Sequence, residues 1–368
     1  MRGDRRAIPG DFDVIRCDLP AFIGDYRQMD YGDPRAPRTV QIREQYGLDD
    51  VVSGFATEFE AQCALRRWVR SRWDHGWSLK FAEVEDALDI LQAAEAGEKF
   101  TCGFYARVFV ECARSLGWVA RLLSIGVQDC GFPRGHDVGN VGHAVPEIWS
   151  NDLRKWVLLD PDLNVHYERD GVPLSGLEIH DAWLSHEHES VTVVQDEPAF
   201  TPPTGDHPLL VRQLMPNMEH FDEREAQFYC RRFVRYGAMD YYARLNIGRW
   251  TWLDRRCLPT FVQHFEPGRT GFLTCNRDDL YWSVNLVRPS ATASWENGPQ
   301  LSVTLEHCMP WFDHLEKRVD KSGWQACDAE FAWPMIEGEN VLEMRGVNVC
   351  GRPGIVSRLE VAYSPAKW

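Results

Sequence analysis

The sequence predicts an α+β protein in which a helical first part gives way to antiparallel sheet and the chain closes with a β-sandwich. Three observations carry this: helix-period apolar stripes between residues 57 and 116, a hydrophobic hairpin at "HAVPEIWSNDLRKWVLLD" (143–160), and alternating, turn-punctuated runs after Gly271.

Residues 1–50 are rich in Asp, Arg, Pro and Gly with only short apolar runs, and read as an irregular arm lying on the body. A capping box, Thr57-x-x-Glu60, then opens a helix with the stripe Leu65, Trp68, Val69 and Trp73. A second helix, near Phe81 to Ala94, turns Val84, Ala87, Leu88 and Leu91 inward and stops at Gly97. In "GEKFTCGFYARVFVECARSLGW" the residues Tyr105, Val108, Phe109, Cys112 and Leu116 recur at helical spacing, and Gly117 supplies the position after the C-cap. Cys102 falls in the first turn of that helix. "WVARLLSI" reads as a strand, followed by a glycine-punctuated loop over residues 126 to 142.

In the hairpin, Asn151-Asp152 signals a two-residue type I′ loop, which fixes the register. Trp149 then faces Arg154, Glu147 faces Trp156, Val145 faces Leu158, and His143 faces Asp160. Directly opposed Cβ atoms lie roughly 4.5–5.5 Å apart, near enough for imidazole Nδ1–H to donate to the Asp160 carboxylate. Pro146 has no N–H for a ladder, so it belongs at an edge or a bulge, and a bulge would shift the register by one.

Residues 161–265 are mixed, with a break at "FTPPTGDHP" and an aromatic, Arg-rich segment, "REAQFYCRRFVRYGAMDYYARLNIGRWTWLDRR", expected to be helical in its first part and to pack on the core. From Gly271 the runs "LYWSVNLV", "LSVTLE", "ENVLEMRGVNV" and "SRLEVAY" alternate between turns, the pattern of a sandwich of roughly 100 residues. The expected division is an arm at 1–50, a core at 51–195, an extension at 196–268 and the sandwich at 269–368.

Forty Lys and Arg against 55 Asp and Glu leave a net charge of −15, which argues against nucleic acid or an anionic membrane surface as a partner. Neither a signal-peptide stretch nor a run of about 18 apolar residues is present, so the expected location is the cytoplasm. Eleven cysteines without CxxC spacing fit neither a disulfide framework nor an ordinary zinc site. Most are expected to be buried thiols, Cys112 on its apolar stripe above all.

Cys102 is the exception, because exposed N–H groups and the dipole at a helix start stabilise a thiolate. Cysteine at a helix start, histidine on one strand and aspartate on the next supply nucleophile, base and orienting acid in one chain order. The residues "TCGFYARVFVECARSLGWVARLLS", "HAVPEIWS" and "KWVLLDPD" resemble the transglutaminase-like superfamily, which includes transglutaminases and peptide N-glycanases. The resemblance runs from about Thr57 to Asp162. It implies a papain-like core with an antiparallel sheet, and assigns the nucleophile to Cys102, the base to His143 and the acid to Asp160. The appended sandwich is expected to be of the immunoglobulin or fibronectin III kind. Pro146, the long aromatic segment and the sandwich depart from the family's common pattern, and no calcium-site signature of the animal crosslinking enzymes is present.

For the oxyanion or substrate, the backbone N–H of Cys102 and the indoles of Trp73 and Trp77 are candidates. Glu147 shares the face of His143 and is a further substrate candidate, although Arg or Lys is its expected partner. His180, His186 and His188 stand in a polar stretch expected to be a solvated loop, and no metal or other cofactor is expected. Tyr241, Tyr242, Trp250 and Trp252 offer flat apolar faces for a sugar, with core packing as the alternative. Three functions follow: a cysteine hydrolase or acyltransferase acting on an amide bond, a glycan-directed hydrolase (sugar-linked amidase or glycoside hydrolase) on the same scaffold, and a non-catalytic binding protein, with a peptide-amide or glycan substrate as the expected partner.

Overall fold

The computed structural model describes residues 10–127, 142–185, 187–199, 236–242, 249–253, 271–274 and 276–366. Contacts divide the chain into two units, Arg27–Tyr281 and a second one built from Met1–Tyr26 with Trp282–Trp368. This differs from the expected arm at 1–50. The strand β1 (Asp11–Cys17) belongs with the C-terminal sheet, whereas α1 (Pro37–Gln45) and α2 (Leu48–Val51) belong to the core.

Within the Arg27–Tyr281 unit, α3 (Glu58–Arg70), α4 (Ala87–Glu95) and α5 (Cys102–Ser115) pack together around Leu65, Val69, Leu88, Leu91, Tyr105, Val108 and Phe109, all essentially closed to solvent. The capping box is made in full: Glu60 N–H donates to Thr57 Oγ1 at 3.2 Å and Glu60 Oε2 accepts from Thr57 N–H at 3.1 Å. Helix α3 ends at Arg70, so Trp73 lies beyond the stripe assigned to it. Asp86 caps α4 by accepting from Asp89 N–H, which places Val84 before the helix rather than in it. Gly117 ends α5 at φ +76°, a conformation that suits glycine.

The strands that follow are β2 (Ala120–Val127), β3 (Gly142–Ser150), β4 (Lys155–Asp160), β5 (Val165–Arg169), β6 (Val172–Pro173), then α6 (Gly176–Leu184), β7 (Thr192–Gln195), β8 (Tyr236–Tyr242), β9 (Arg249–Leu253) and β10 (Gly271–Thr274). They form one nine-stranded sheet in the order β10-β9-β8-β2-β3-β4-β5-β6, with β7 on β5. The aromatic segment thus supplies β8, which pairs with β2. Its first part, expected to be helical, lies outside the described residues.

The β3–β4 hairpin pairs Glu147 with Leu158, Ile148 with Val157, Trp149 with Trp156 and Ser150 with Lys155. The loop is therefore Asn151–Arg154 rather than the two-residue turn, and the left-handed residue is Arg154 at φ +52°. The reason is tertiary. Asp152 Oδ2 accepts from the N–H groups of Glu58 (2.6 Å) and Phe59 (3.2 Å), capping α3 from a distance, while Asn151 N–H donates to Glu58 Oε1 at 2.7 Å. No bulge interrupts β3. Pro146 pairs with Leu122 of β2, and the ladder to β4 stops one residue short of it.

The second unit contains β11 (Val287–Ser294), β12 (Gln300–His307), β13 (Phe312–Val319), β14 (Gln325–Cys327), β15 (Glu330–Pro334), β16 (Gly338–Asn348) and β17 (Ser357–Ser364). Two antiparallel sheets, β1-β17-β16-β13-β14 and β11-β12-β15, share a core of Val303, Leu305, Leu315, Trp333, Leu342 and Val361. The alternating burial along β16 and β17 is the pattern of the expected sandwich.

Candidate active site

Cys102 is the first residue of α5, behind Thr101, and its side chain is partly exposed. The sequence puts it there because the apolar period of α5 starts at Tyr105, one turn in. A side chain at that point meets the positive end of the helix dipole.

His143 and Asp160 are both buried, 5% and 2% exposed. They come from β3 and from the last residue of β4. The observed register differs by two from the expected one, and a shift of two keeps every side chain on its face. The pair has changed from directly opposed to diagonal, a separation of roughly 7–8 Å. The ring bridges it with its far nitrogen: His143 Nε2, rather than the expected Nδ1, lies 2.6 Å from Asp160 Oδ2. The other oxygen, Oδ1, accepts from the N–H groups of Asp162 (2.9 Å) and Leu163 (3.0 Å), so the carboxylate cannot swing away.

The sulfur of Cys102, a ring nitrogen of His143 and a carboxylate oxygen of Asp162 lie within 4.8 Å of one another. Burial works against a charged imidazole at position 143. Asp160, by its charge and hydrogen bond, and then Cys102 outweigh it and hold the ring's pKa well above the usual 6.5. The shift favours the charged ring.

Sequence reasoning missed Asp162 and its partner His75. His75 Nδ1 sits 2.7 and 2.9 Å from the two carboxylate oxygens of Asp162. Burial alone would raise the Asp162 carboxyl, but His75, then His143 and Arg70, hold it below the usual range. The signal was present in "DPD" and in the histidine of "SRWDHGWS", yet His75 lies in an irregular segment without periodicity.

Trp73 is not available to an oxyanion. Its indole N–H donates to Phe100 O at 3.2 Å and its ring stacks on Tyr105 at 4.2 Å. Trp77 is half exposed, beside Phe81. Glu147 is fully buried, with Oε2 accepting from Arg121 Nη2 at 2.7 Å and Oε1 from Gly176 N–H (2.7 Å) and the Tyr281 hydroxyl (2.8 Å). It cannot reach a substrate, and an Arg is indeed its partner. His180 is buried on α6 rather than in a solvated loop. His186 and the side chains of His188, Tyr241, Tyr242, Trp250 and Trp252 lie outside the described residues. The one described group with donor atoms close enough to hold a metal is Cys102, His143 and Asp162.

Residues 48–161 match the model of the transglutaminase-like superfamily. They form a transglutaminase-like core. Among solved structures, a Cytophaga hutchinsonii protein provisionally assigned as a cysteine protease is similar at 12% identity and a TM-score of 0.26, over 50% of this chain and 66% of that one. Red sea bream transglutaminase is similar at 11% identity and a TM-score of 0.25, over 90% of this chain and 72% of that one. Likenesses this distant speak to neither substrate nor reaction. No curated protein matches the sequence.

Proposed function

We propose that the transglutaminase-like core is a cysteine-dependent hydrolase or acyltransferase acting on an amide bond. The observation that carries the reading is the convergence of a partly exposed thiol at a helix start with a buried imidazole anchored to Asp160 at 2.6 Å. The Cys102 thiolate attacks the amide carbonyl, forming a C–S bond, and the backbone N–H of Cys102 is the candidate donor to the oxyanion. As the C–N bond breaks, the His143 imidazolium gives its proton to the leaving amine. Water or an amine then attacks the thioester, His143 takes up the incoming proton, and the sulfur leaves as thiolate. Asp160 orients the ring.

The expected partners are a peptide-amide or glycan-linked substrate. A panel of peptide amides, glycan-linked amides and glycosides tests this, read with wild type and Cys102→Ala. The expected outcome is amide turnover with a thioester adduct in the intact mass, both lost in Cys102→Ala while circular dichroism is unchanged. Turnover that survives Cys102→Ala would overturn the mechanism, and glycoside cleavage by that variant would move the protein to carboxylate chemistry.

A further inference from the structure

The proposed triad leaves Asp162 without a role, although its carboxylate is buried against both the nucleophile and the base. One cysteine sulfur, one imidazole and one carboxylate, drawn from α5, β3 and the turn after β4, lie within 4.8 Å of one another. That donor set is the one zinc accepts, and sulfur with imidazole selects against magnesium and calcium. Tetrahedral bonds of about 2.0–2.3 Å put ligand atoms roughly 3.5 Å apart, so side-chain rotations of about an ångström close the set.

Two features go beyond proximity. Metal-ligating histidines give their second ring nitrogen to a carboxylate, and ligating carboxylates are themselves hydrogen-bonded. Here His143 Nε2 is already on Asp160, and Asp162 is already on His75. The outer shell of a metal site is in place around both buried donors, and the third donor, Cys102, is partly exposed.

We propose that Cys102, His143 and Asp162 form a three-ligand site for a zinc-class divalent ion, buttressed by Asp160 and His75, and that its occupancy shuts the active site reversibly. The ion takes the sulfur lone pair and the ring nitrogen that faces the sulfur, and the proton shared by thiol and imidazole passes to solvent. No nucleophile and no acid remain. The binding claim stands on the geometry alone, whereas the inhibitory consequence rests on the hydrolase reading.

The probe is cobalt(II), titrated into the full metal-free chain and followed by absorption without substrate. The expected result is one ion per chain with a thiolate-to-cobalt charge-transfer band, absent in Cys102→Ser, and displacement by zinc. Asp162→Asn and His75→Gln should each weaken binding by about tenfold or more. Should Asp162→Asn fail to fold by circular dichroism, His75→Gln decides. No band at position 102, or an affinity unchanged in the folded variants, overturns the site. A band in a chain that turns over no amide upholds the site and defeats only the hydrolase reading, while amide turnover indifferent to stoichiometric zinc overturns the inhibitory consequence.

Discussion

The short contact of His143 with Asp160 has a direction that sets the chemistry. With Nε2 on Asp160, the nitrogen left to exchange a proton with Cys102 is Nδ1. Asp160→Asn keeps the size but offers an amide where the ring needs an acceptor. We expect kcat to fall by about 10⁴-fold, as loss of the orienting acid does in triads of this type, with KM nearly unchanged, measured by steady-state turnover on the best amide of the panel. Cys102, His143 and Asp160 were legible because residue type, helix start and strand order all point the same way. The ring nitrogen was not, since it depends on whether the pair is opposed or diagonal. His75 and Asp162 were not legible either, because tertiary packing of an irregular segment brings them together.

The hairpin shows how an element's local signal is overridden. Asn151-Asp152 favours a tight turn, but both residues serve α3 instead: Asp152 takes two of its orphan N–H groups and Asn151 donates to Glu58. Asp152→Ala should cost about 0.5–2 kcal/mol, the usual loss for a cap, read as a lower denaturant midpoint with unchanged slope. Face and partner survived the register change because side chains alternate with period two. Glu147 anchors the middle of β3 through Arg121, Gly176 and Tyr281. Glu147→Ala takes the carboxylate away from the buried Arg121 guanidinium and should cost about 3–5 kcal/mol, again by denaturant unfolding. A loss below about 1 kcal/mol would show that the pair is not the anchor described.

Taken whole, the chain is two units whose boundaries do not follow the sequence in order. Strand β1 pairs with β17 across the length of the chain, from Asp11 with Ser364 to Cys17 with Leu359. No local pattern announces such a pairing. Deleting residues 1–17 should destabilise the sandwich while leaving the near-ultraviolet signal of the core, measured by thermal unfolding. One acid-sensitive cluster surrounds Arg66, which is buried against Asn164, His166 and Asp196. Burial, then Arg66, hold the His166 pKa below the usual 6.5, so the unfolded chain gains a proton that the folded one refuses. Asp196 is held low by Arg66 and Arg67 against the effect of burial. Both contributions are present at neutral pH. The first is lost as pH falls below about 6.5 and the second below about 3.9, so the denaturant midpoint should fall in two stages. A midpoint that falls as much in His166→Gln as in the wild type between pH 7 and 5 would contradict the role given to His166. The triad itself is tested most directly by alkylation at neutral pH with limiting iodoacetamide, followed by peptide mapping. The thiols of Cys63 and Cys308 are pushed up to about 11 by burial and that of Cys112 well above its ordinary 9.0. Label on Cys102 first, at a rate that drops at least about tenfold in His143→Ala, is the expected result. Labelling spread over other cysteines, or a rate on Cys102 indifferent to His143, would contradict it.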